Sequence, residues 1–85
     1  MKSFTYTIKD SLGIHARPAG QVVNLAKQYS STITIDGGEK QANATRLMAV
    51  MALGIKCGQN VTVTAEGDDE EAAIAAMQEF FEQNL

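Results

Sequence analysis

Apolar residues alternate with polar ones in two segments of the chain, one near its start and one in its last third. In segments 3–8 and 61–65 every second residue is apolar, and a period of two is typical of a β-strand with one buried face. These segments predict two strands that face the same core. On the opposite, uncovered face of the predicted sheet lie Thr5, Thr7, Thr62 and Thr64.

Two other segments have the period of an amphipathic helix. Apolar residues recur at i, i+3, i+4 and i+7 after the first strand, which predicts a helix that ends near Tyr29. A similar stripe late in the sequence predicts the last helix, which Asp68 or Asp69 can cap. The predicted buried stripes are Ala19, Val22, Val23 and Ala26 in the first helix and Ile74, Met77 and Phe81 in the last.

The middle of the sequence predicts a hairpin followed by a short helix. Residues 32–35 are all β-branched. Residues 36–38, Asp-Gly-Gly, allow a tight turn, and residues 40–43 supply a weak return strand. We expect Thr45 to be the N-cap of the short helix and Gly54 to end it in the left-handed conformation.

The resulting order of elements, β-α-β-β-α-β-α, favours the α+β class. It predicts a four-stranded antiparallel sheet that is covered on one face by three helices. The chain of 85 residues is 45% hydrophobic and 20% charged, which indicates a folded protein with one small core. No repeat or linker interrupts it, so we expect a single domain over residues 1–85.

Charge and composition exclude several classes of function. The formal net charge is −3, whereas nucleic-acid binding needs clustered positive charge. The apolar run from Leu47 to Ile55 is far shorter than the roughly 20 residues of a membrane span. The first residues lack the pattern of a secretory signal, so we expect a cytoplasmic protein. One cysteine, Cys57, and one histidine form by themselves neither a disulfide nor a zinc site.

Candidate chemistry lies in the segment Gly13–Ala19, GIHARPA, where a loop passes into the first helix. A helix start offers free N–H groups and about half a positive charge, which stabilise an anion. We expect His15 to act there as a neutral nucleophile toward a phosphoryl donor, with Arg17 as a two-pronged clamp. A bare transfer needs no metal, carboxylate relay or second base. From these residues alone, a capping histidine and a solvated arginine are an equally good interpretation.

Several segments together resemble the histidine-containing phosphocarrier protein (HPr) family of the bacterial sugar phosphotransferase system. They are Gly13–Ala19, Leu47–Met48, Met51–Gly54 and Ala65–Glu70, and the likeness extends over essentially the whole chain. The resemblance implies an open-faced β-sandwich. It also implies a carrier of phosphoryl groups that is an intermediate in transfer rather than an independent catalyst, without a cofactor or a metal.

The resemblance also assigns roles to the residues at the start of the first helix. His15 is then the acceptor, which receives the phosphoryl group at Nδ1 from phosphorylated enzyme I and passes it to enzyme IIA domains. Arg17 helps to hold the phosphate, and Ala16 and Arg17 offer backbone N–H groups. Contacts with these partners are expected to be transient, and the protein itself is expected to be a monomer.

The short second helix has two interpretations. The helical spacing of Leu47, Met48 and Met51 alone favours burial in the core. The resemblance implies instead that these residues form an exposed apolar patch on which donor and acceptor proteins dock. Lys27 and Arg46 are then charged contacts at its rim, although isolated charges are commonly just solvated.

The sequence departs from the family pattern at two positions. Arg46 occupies the position at which Gram-positive relatives carry a serine that a regulatory kinase phosphorylates, so we expect no such switch here. Leu12 replaces a small polar residue near the histidine. A second hypothesis, based on the patch of Leu47, Met48 and Met51, is a regulatory or interaction module that acts by binding partner proteins, including in the nitrogen-regulatory branch of the system.

Overall fold

The computed structural model describes residues 1–85 and contains a four-stranded antiparallel sheet with three helices on one face. Counted along the chain, the first strand pairs with the fourth, the fourth with the second and the second with the third, so the strands nearest the two ends of the chain are neighbours. This confirms the predicted open-faced α+β architecture. The elements are β1 (Lys2–Thr7), α1 (Ala16–Ala26), β2 (Thr32–Asp36), β3 (Gln41–Asn43), α2 (Leu47–Ala52), β4 (Asn60–Glu66) and α3 (Glu70–Asn84).

The register of β1 on β4 explains the polar face of the sheet. Thr5 lies opposite Thr62, and their hydroxyl groups are 3.3 Å apart. The two threonines of β1 are exposed and Thr62 and Thr64 are half-buried, because no helix covers this face. The alternation of the sequence therefore predicts the side of each strand that meets water.

The other face packs against the helices through one continuous core. Phe81 of α3 is fully buried, and its ring meets Phe4 and Tyr6 edge-on at centroid distances of 5.6 and 5.9 Å. Burial of such a side chain contributes about 1.5–3 kcal/mol. All four predicted residues of the α1 stripe are buried; in α3, Met77 is buried as predicted, whereas Ala73 is buried and Ile74 only half-buried.

The first helix is shorter than its apolar pattern predicts. It ends at Ala26 rather than near Tyr29. Beyond that point the N–H of Gln28 donates to the carbonyl of Leu25, and that of Tyr29 donates to Ala26. These bonds span three residues instead of four, which is a tight turn that cannot continue an α-helix.

The expected cap of α2 is wrong. The N-cap position is Arg46, whose side chain makes no capping hydrogen bond. Thr45 instead donates its backbone N–H and its hydroxyl to Asn43 Oδ1, at 2.9 and 2.7 Å. The Asn43 amide thus organises the approach to the helix. Gly54 follows the helix with φ of 62°, as expected.

The start of α3 corrects a second capping prediction. Asp69 is at the N-cap position, but its side chain does not cap the helix. Its carboxylate accepts the backbone N–H groups of Ser30 and Ser31, at 2.8 and 2.9 Å, together with the Ser31 hydroxyl. The Ser31 hydroxyl, followed by the Ser30 N–H, lowers the pKa of Asp69 below its ordinary value. Asp69 therefore ties α3 to the turn after α1.

Candidate functional site

His15 lies at the N-cap position of α1, where the chain is still extended, with φ of −93° and ψ of −176°. Its carbonyl accepts the N–H of Ala19 at 3.0 Å, so the backbone begins the helix. Its ring makes no capping hydrogen bond and is 36% exposed. The imidazole is therefore held by its backbone and remains accessible from solvent.

The loop before the histidine is fixed by Gly13. This residue has φ of +67°, and a Cβ atom there would lie 2.2 Å from the Ile55 carbonyl oxygen. Only glycine fits this left-handed conformation and close approach. The next residue, Ile14, donates its N–H to the same Ile55 oxygen at 3.0 Å. The loop thus rests on the segment after α2, which sets where His15 emerges.

The first turn of α1 offers positive charge beside the histidine. The N–H groups of Ala16 and Arg17 have no hydrogen-bond acceptor within the chain, as expected for the first turn of a helix. The Arg17 side chain is exposed and forms no ion pair with an acidic group. Pro18 follows without an N–H, at a position where none is needed. Backbone donors and an unpaired guanidinium therefore lie at the same helix start.

His15 and Arg17 line a polar depression of about 250 Å³. This volume is large enough for a phosphate group. The predicted residues His15 and Arg17 are brought together here. The depression is lined by Asp10, His15, Arg17, Pro18, Gln21 and Asn84.

Asp10 is the site residue that the sequence analysis missed. Its Oδ2 atom lies 3.9 Å from His15 Nε2, where no carboxylate was predicted. The turn closed by the Gly13 N–H on the Asp10 carbonyl, at 2.9 Å, carries the chain back and brings the acid to the ring. The only sequence signal for this role of Asp10 is its position just before the glycine turn that leads to the histidine.

The apolar residues of α2 are exposed rather than buried. Leu47, Met48 and Met51 have exposures of 40, 77 and 39%, while Val50 alone carries the helix into the core. The core interpretation of the three residues is therefore wrong. We call them the apolar patch. Its role in docking stays a prediction, as do the roles of the rim residues Lys27 and Arg46, which are both exposed and unpaired.

A larger depression, of about 490 Å³, lies between the β2–β3 turn and the loop after α2. It contains two lysines and one glutamate but no histidine. None of its residues lines the depression around His15. Cys57 lies in the neighbouring loop as an exposed thiol. Neither feature belongs to the site at the start of α1.

Comparison with known proteins agrees with this fold and identifies the family. A family model described as the HPr component phosphorylation site of the phosphotransferase system (PTS) matches residues 2–83. The phosphocarrier protein HPr of Mycoplasma capricolum is 43% identical over 79 residues, which cover 93% of this chain and 89% of that protein. The chain belongs to the HPr phosphocarrier family of the phosphotransferase system, which confirms the resemblance.

Solved structures support the same assignment. HPr-C-His from Thermoanaerobacter tengcongensis is 43% identical and superimposes with a TM-score of 0.92 over 98% of this chain and 93% of that one. An HPr dimer from the same organism has a TM-score of 0.77, over 98% of this chain and 95% of that one. No helix of the present protein is both long enough and apolar enough to span a bilayer.

Proposed function

We propose that this protein carries phosphoryl groups on His15, from phosphorylated enzyme I to enzyme IIA domains, in phosphoenolpyruvate-dependent sugar uptake. The observation that carries the proposal is the accessible imidazole beside two free N–H groups and an unpaired guanidinium. Family membership supports it. In this proposal residues 1–85 act as one cytoplasmic domain that needs no cofactor and meets its partners transiently.

The chemistry follows from the groups around the ring. A lone pair of the imidazole, at Nδ1 in the family, forms a bond to phosphorus while the bond from phosphorus to the donor breaks. The transferred group brings about two negative charges to the start of α1. The N–H groups of Ala16 and Arg17 and the guanidinium are placed to offset that charge. Because the group is held without further reaction, the protein acts as a carrier rather than a catalyst.

The direct test uses phosphoenolpyruvate, enzyme I and the purified protein. We expect one acid-labile phosphate per chain, with a ³¹P signal of Nδ1-phosphohistidine. His15→Ala should take up none while it keeps the thermal unfolding midpoint of the wild type, because the ring makes no hydrogen bond in the fold. Phosphate uptake by the folded variant would show that another residue is the acceptor.

The apolar patch is proposed as the docking surface for these partners, with Lys27 and Arg46 as rim contacts. Met48→Asp should abolish transfer without unfolding the protein, since the side chain is 77% exposed and exposed substitutions change stability by about 0.5 kcal/mol or less. Ala75→Asp, at an exposed position of α3, is the matched control and should transfer normally. Normal transfer by Met48→Asp would remove the patch from the docking surface.

The second candidate is a regulatory or interaction module, which the exposure of Met48 also favours. Such a module binds partners whether or not His15 carries phosphate. Equal affinity of the phosphorylated and unphosphorylated forms for a partner, measured by calorimetry, would favour the module. A strong preference of the partner for one form would favour the carrier.

The oligomeric state is part of the proposal. We propose a monomer, although one solved relative is an HPr dimer. Light scattering after size exclusion should give a mass near 9.1 kDa for the monomer. Twice that mass over a range of concentrations would contradict it.

A further inference from the structure

We propose that Asp10 is a positioning residue that keeps the proton of the neutral His15 ring on Nε2. This leaves the lone pair of Nδ1 free to accept the phosphoryl group, so the inference rests on the proposed function and deepens it. Asp10 Oδ2 lies 3.9 Å from His15 Nε2, and this carboxylate is the one that pairs with the ring. The separation exceeds a direct hydrogen bond, but catalytic hydrogen bonds are often long in unliganded structures and shorten in the complex.

Three hydrogen bonds hold Asp10 in place. Its Oδ1 atom accepts the N–H of Leu12 at 2.9 Å. Its backbone N–H donates to the Leu85 oxygen at 2.8 Å, and its carbonyl accepts the N–H of Gly13 at 2.9 Å. The oxygen nearest the ring, Oδ2, is therefore the one left free of protein donors. A carboxylate oxygen accepts but does not donate, so it favours the tautomer that carries the proton on Nε2.

This tautomer matters in the transfer step. The Nδ1 lone pair forms the bond to phosphorus while the bond between phosphorus and the donor atom of enzyme I breaks, and the donor atom keeps that electron pair. Nε2 retains its proton, so the ring gains positive charge as the new bond forms. The Asp10 carboxylate stabilises this charge, as the aspartate of a serine-protease triad stabilises its imidazolium. With the proton on Nδ1, the lone pair would lie on Nε2 instead, and Nδ1 could not attack phosphorus.

Asp10→Asn separates this role from a structural one. The amide keeps an oxygen for the Leu12 N–H but presents an N–H donor to the ring, which favours the opposite tautomer. Asp36→Asn is the matched control, because Asp36 Oδ1 also accepts a backbone N–H two residues further on, from Gly38 at 2.8 Å. Asp36 does not line the depression around the histidine.

The first measurement is the ¹⁵N spectrum of the imidazole in unphosphorylated protein in alkaline solution. We expect the Nε2–H tautomer in the wild type and in Asp36→Asn, and a shift of population toward the Nδ1–H tautomer in Asp10→Asn. An unchanged tautomer in Asp10→Asn would overturn the proposal. Because no enzyme is present, this result does not depend on the proposed function.

The second measurement is the rate of phosphoryl uptake from enzyme I. Asp10→Asn should be slower by about tenfold or more, because replacing an aspartate that fixes the tautomer of a functional histidine leaves the wrong tautomer, while Asp36→Asn keeps the wild-type rate. A shifted tautomer with a wild-type rate would overturn the role of Asp10 in transfer and leave the carrier function standing. If the wild type took up no phosphate, the carrier function itself would fall, and the spectra would still decide whether Asp10 sets the tautomer.

Discussion

The starts of α1 and α3 are built in opposite ways. Each helix begins at a residue whose side chain makes no hydrogen bond to its own helix, His15 in α1 and Asp69 in α3. The Asp69 carboxylate is occupied by Ser30 and Ser31. The His15 ring instead lines an open depression. One helix start is closed onto a neighbouring turn, and the other is left open.

The two starts also differ in their own charge. A helix start attracts negative charge through its free N–H groups. In α3 the chain supplies that charge itself, with Glu70 and Glu71 in the first turn, whereas the first turn of α1 has no acidic residue. The positive end of α1 is therefore available for negative charge from outside the protein, as the proposed function requires.

The largest expected effect comes from a change in the loop that precedes α1. Gly13→Ala should lower the free energy of unfolding by about 2 to 5 kcal/mol, since it combines a left-handed conformation with a clash against the Ile55 carbonyl. Urea unfolding measures this directly. Phosphoryl uptake should fall as well, because the backbone that presents His15 must shift.

Two other glycines serve as controls for this change. Gly54→Ala shares the positive φ, +62°, but meets no atom within 4 Å, so it should cost only about 1–2 kcal/mol. Gly20→Ala, within α1 and equally uncrowded, should stabilise by about 0.5–1 kcal/mol. If Gly13→Ala costs no more than Gly54→Ala, the contact with Ile55 does not constrain the loop.

The second prediction concerns the cation at the start of α1. Arg17→Lys should slow phosphoryl uptake by about tenfold, or about 1.4 kcal/mol in the barrier, because an ammonium group cannot make the two-pronged contact. The thermal midpoint should not change, since the side chain is exposed and unpaired. Rapid-quench measurement of uptake decides this. Lys40→Arg is the control exchange. If Arg17→Lys takes up phosphate as fast as Lys40→Arg, the guanidinium has no role in the transfer.

The third prediction concerns the contact between Asp69 and the turn after α1. The pKa of Asp69 is lowered in the folded protein, chiefly by the Ser31 hydroxyl. The ionised carboxylate therefore stabilises the folded protein at pH values above its pKa in the unfolded chain, about 3.8. This stabilisation is lost as the pH falls through the lower pKa of Asp69 in the folded protein. Asp69→Asn should lower the thermal midpoint at neutral pH, and its difference from the wild type should shrink below about pH 3.8.

Phosphoryl uptake separates the two helix starts in the same experiment. Asp69→Asn should leave uptake unchanged at temperatures where the variant is folded. Asp68→Asn is the matched control, because Asp68 is exposed and should have neither effect. A loss of uptake in folded Asp69→Asn would mean that the two starts are coupled.

The smallest effect concerns the start of α2, which has no capping side chain. Asn43→Ala should cost about 1 kcal/mol, because its amide oxygen accepts two hydrogen bonds from Thr45, and Thr45→Ala about 0.5 kcal/mol, because only the hydroxyl is lost. Chemical denaturation of both variants gives the comparison. If Thr45→Ala loses more stability than Asn43→Ala, Thr45 rather than Asn43 caps the helix.

The strands and helices were predictable from periodicity, because one core buries alternate residues of a strand and one stripe of a helix. Phe4, Val63 and Met77 all lie where the pattern places them. The ends of elements were less predictable. The serines that bind Asp69 are 38 and 39 residues away. No local sequence pattern indicates a contact between residues so far apart in the chain.

The site was predictable in part. The residues at the start of α1 left two interpretations open, and the resemblance to a family chose between them. The structure then brings His15 and Arg17 to one depression, with Asp10 beside them. That acid lay outside the prediction because its approach depends on the bend at Gly13, which folds the loop back on itself.

The hydrogen bond from Ile14 to Ile55 has a structural consequence. Ile55 comes immediately after the glycine that ends α2, and Ile14 comes immediately before the histidine. If partners dock on the apolar patch as proposed, the surface they contact ends shortly before a peptide group that is hydrogen-bonded to the backbone just ahead of His15. The docking surface and the proposed acceptor would then share one short stretch of hydrogen-bonded backbone.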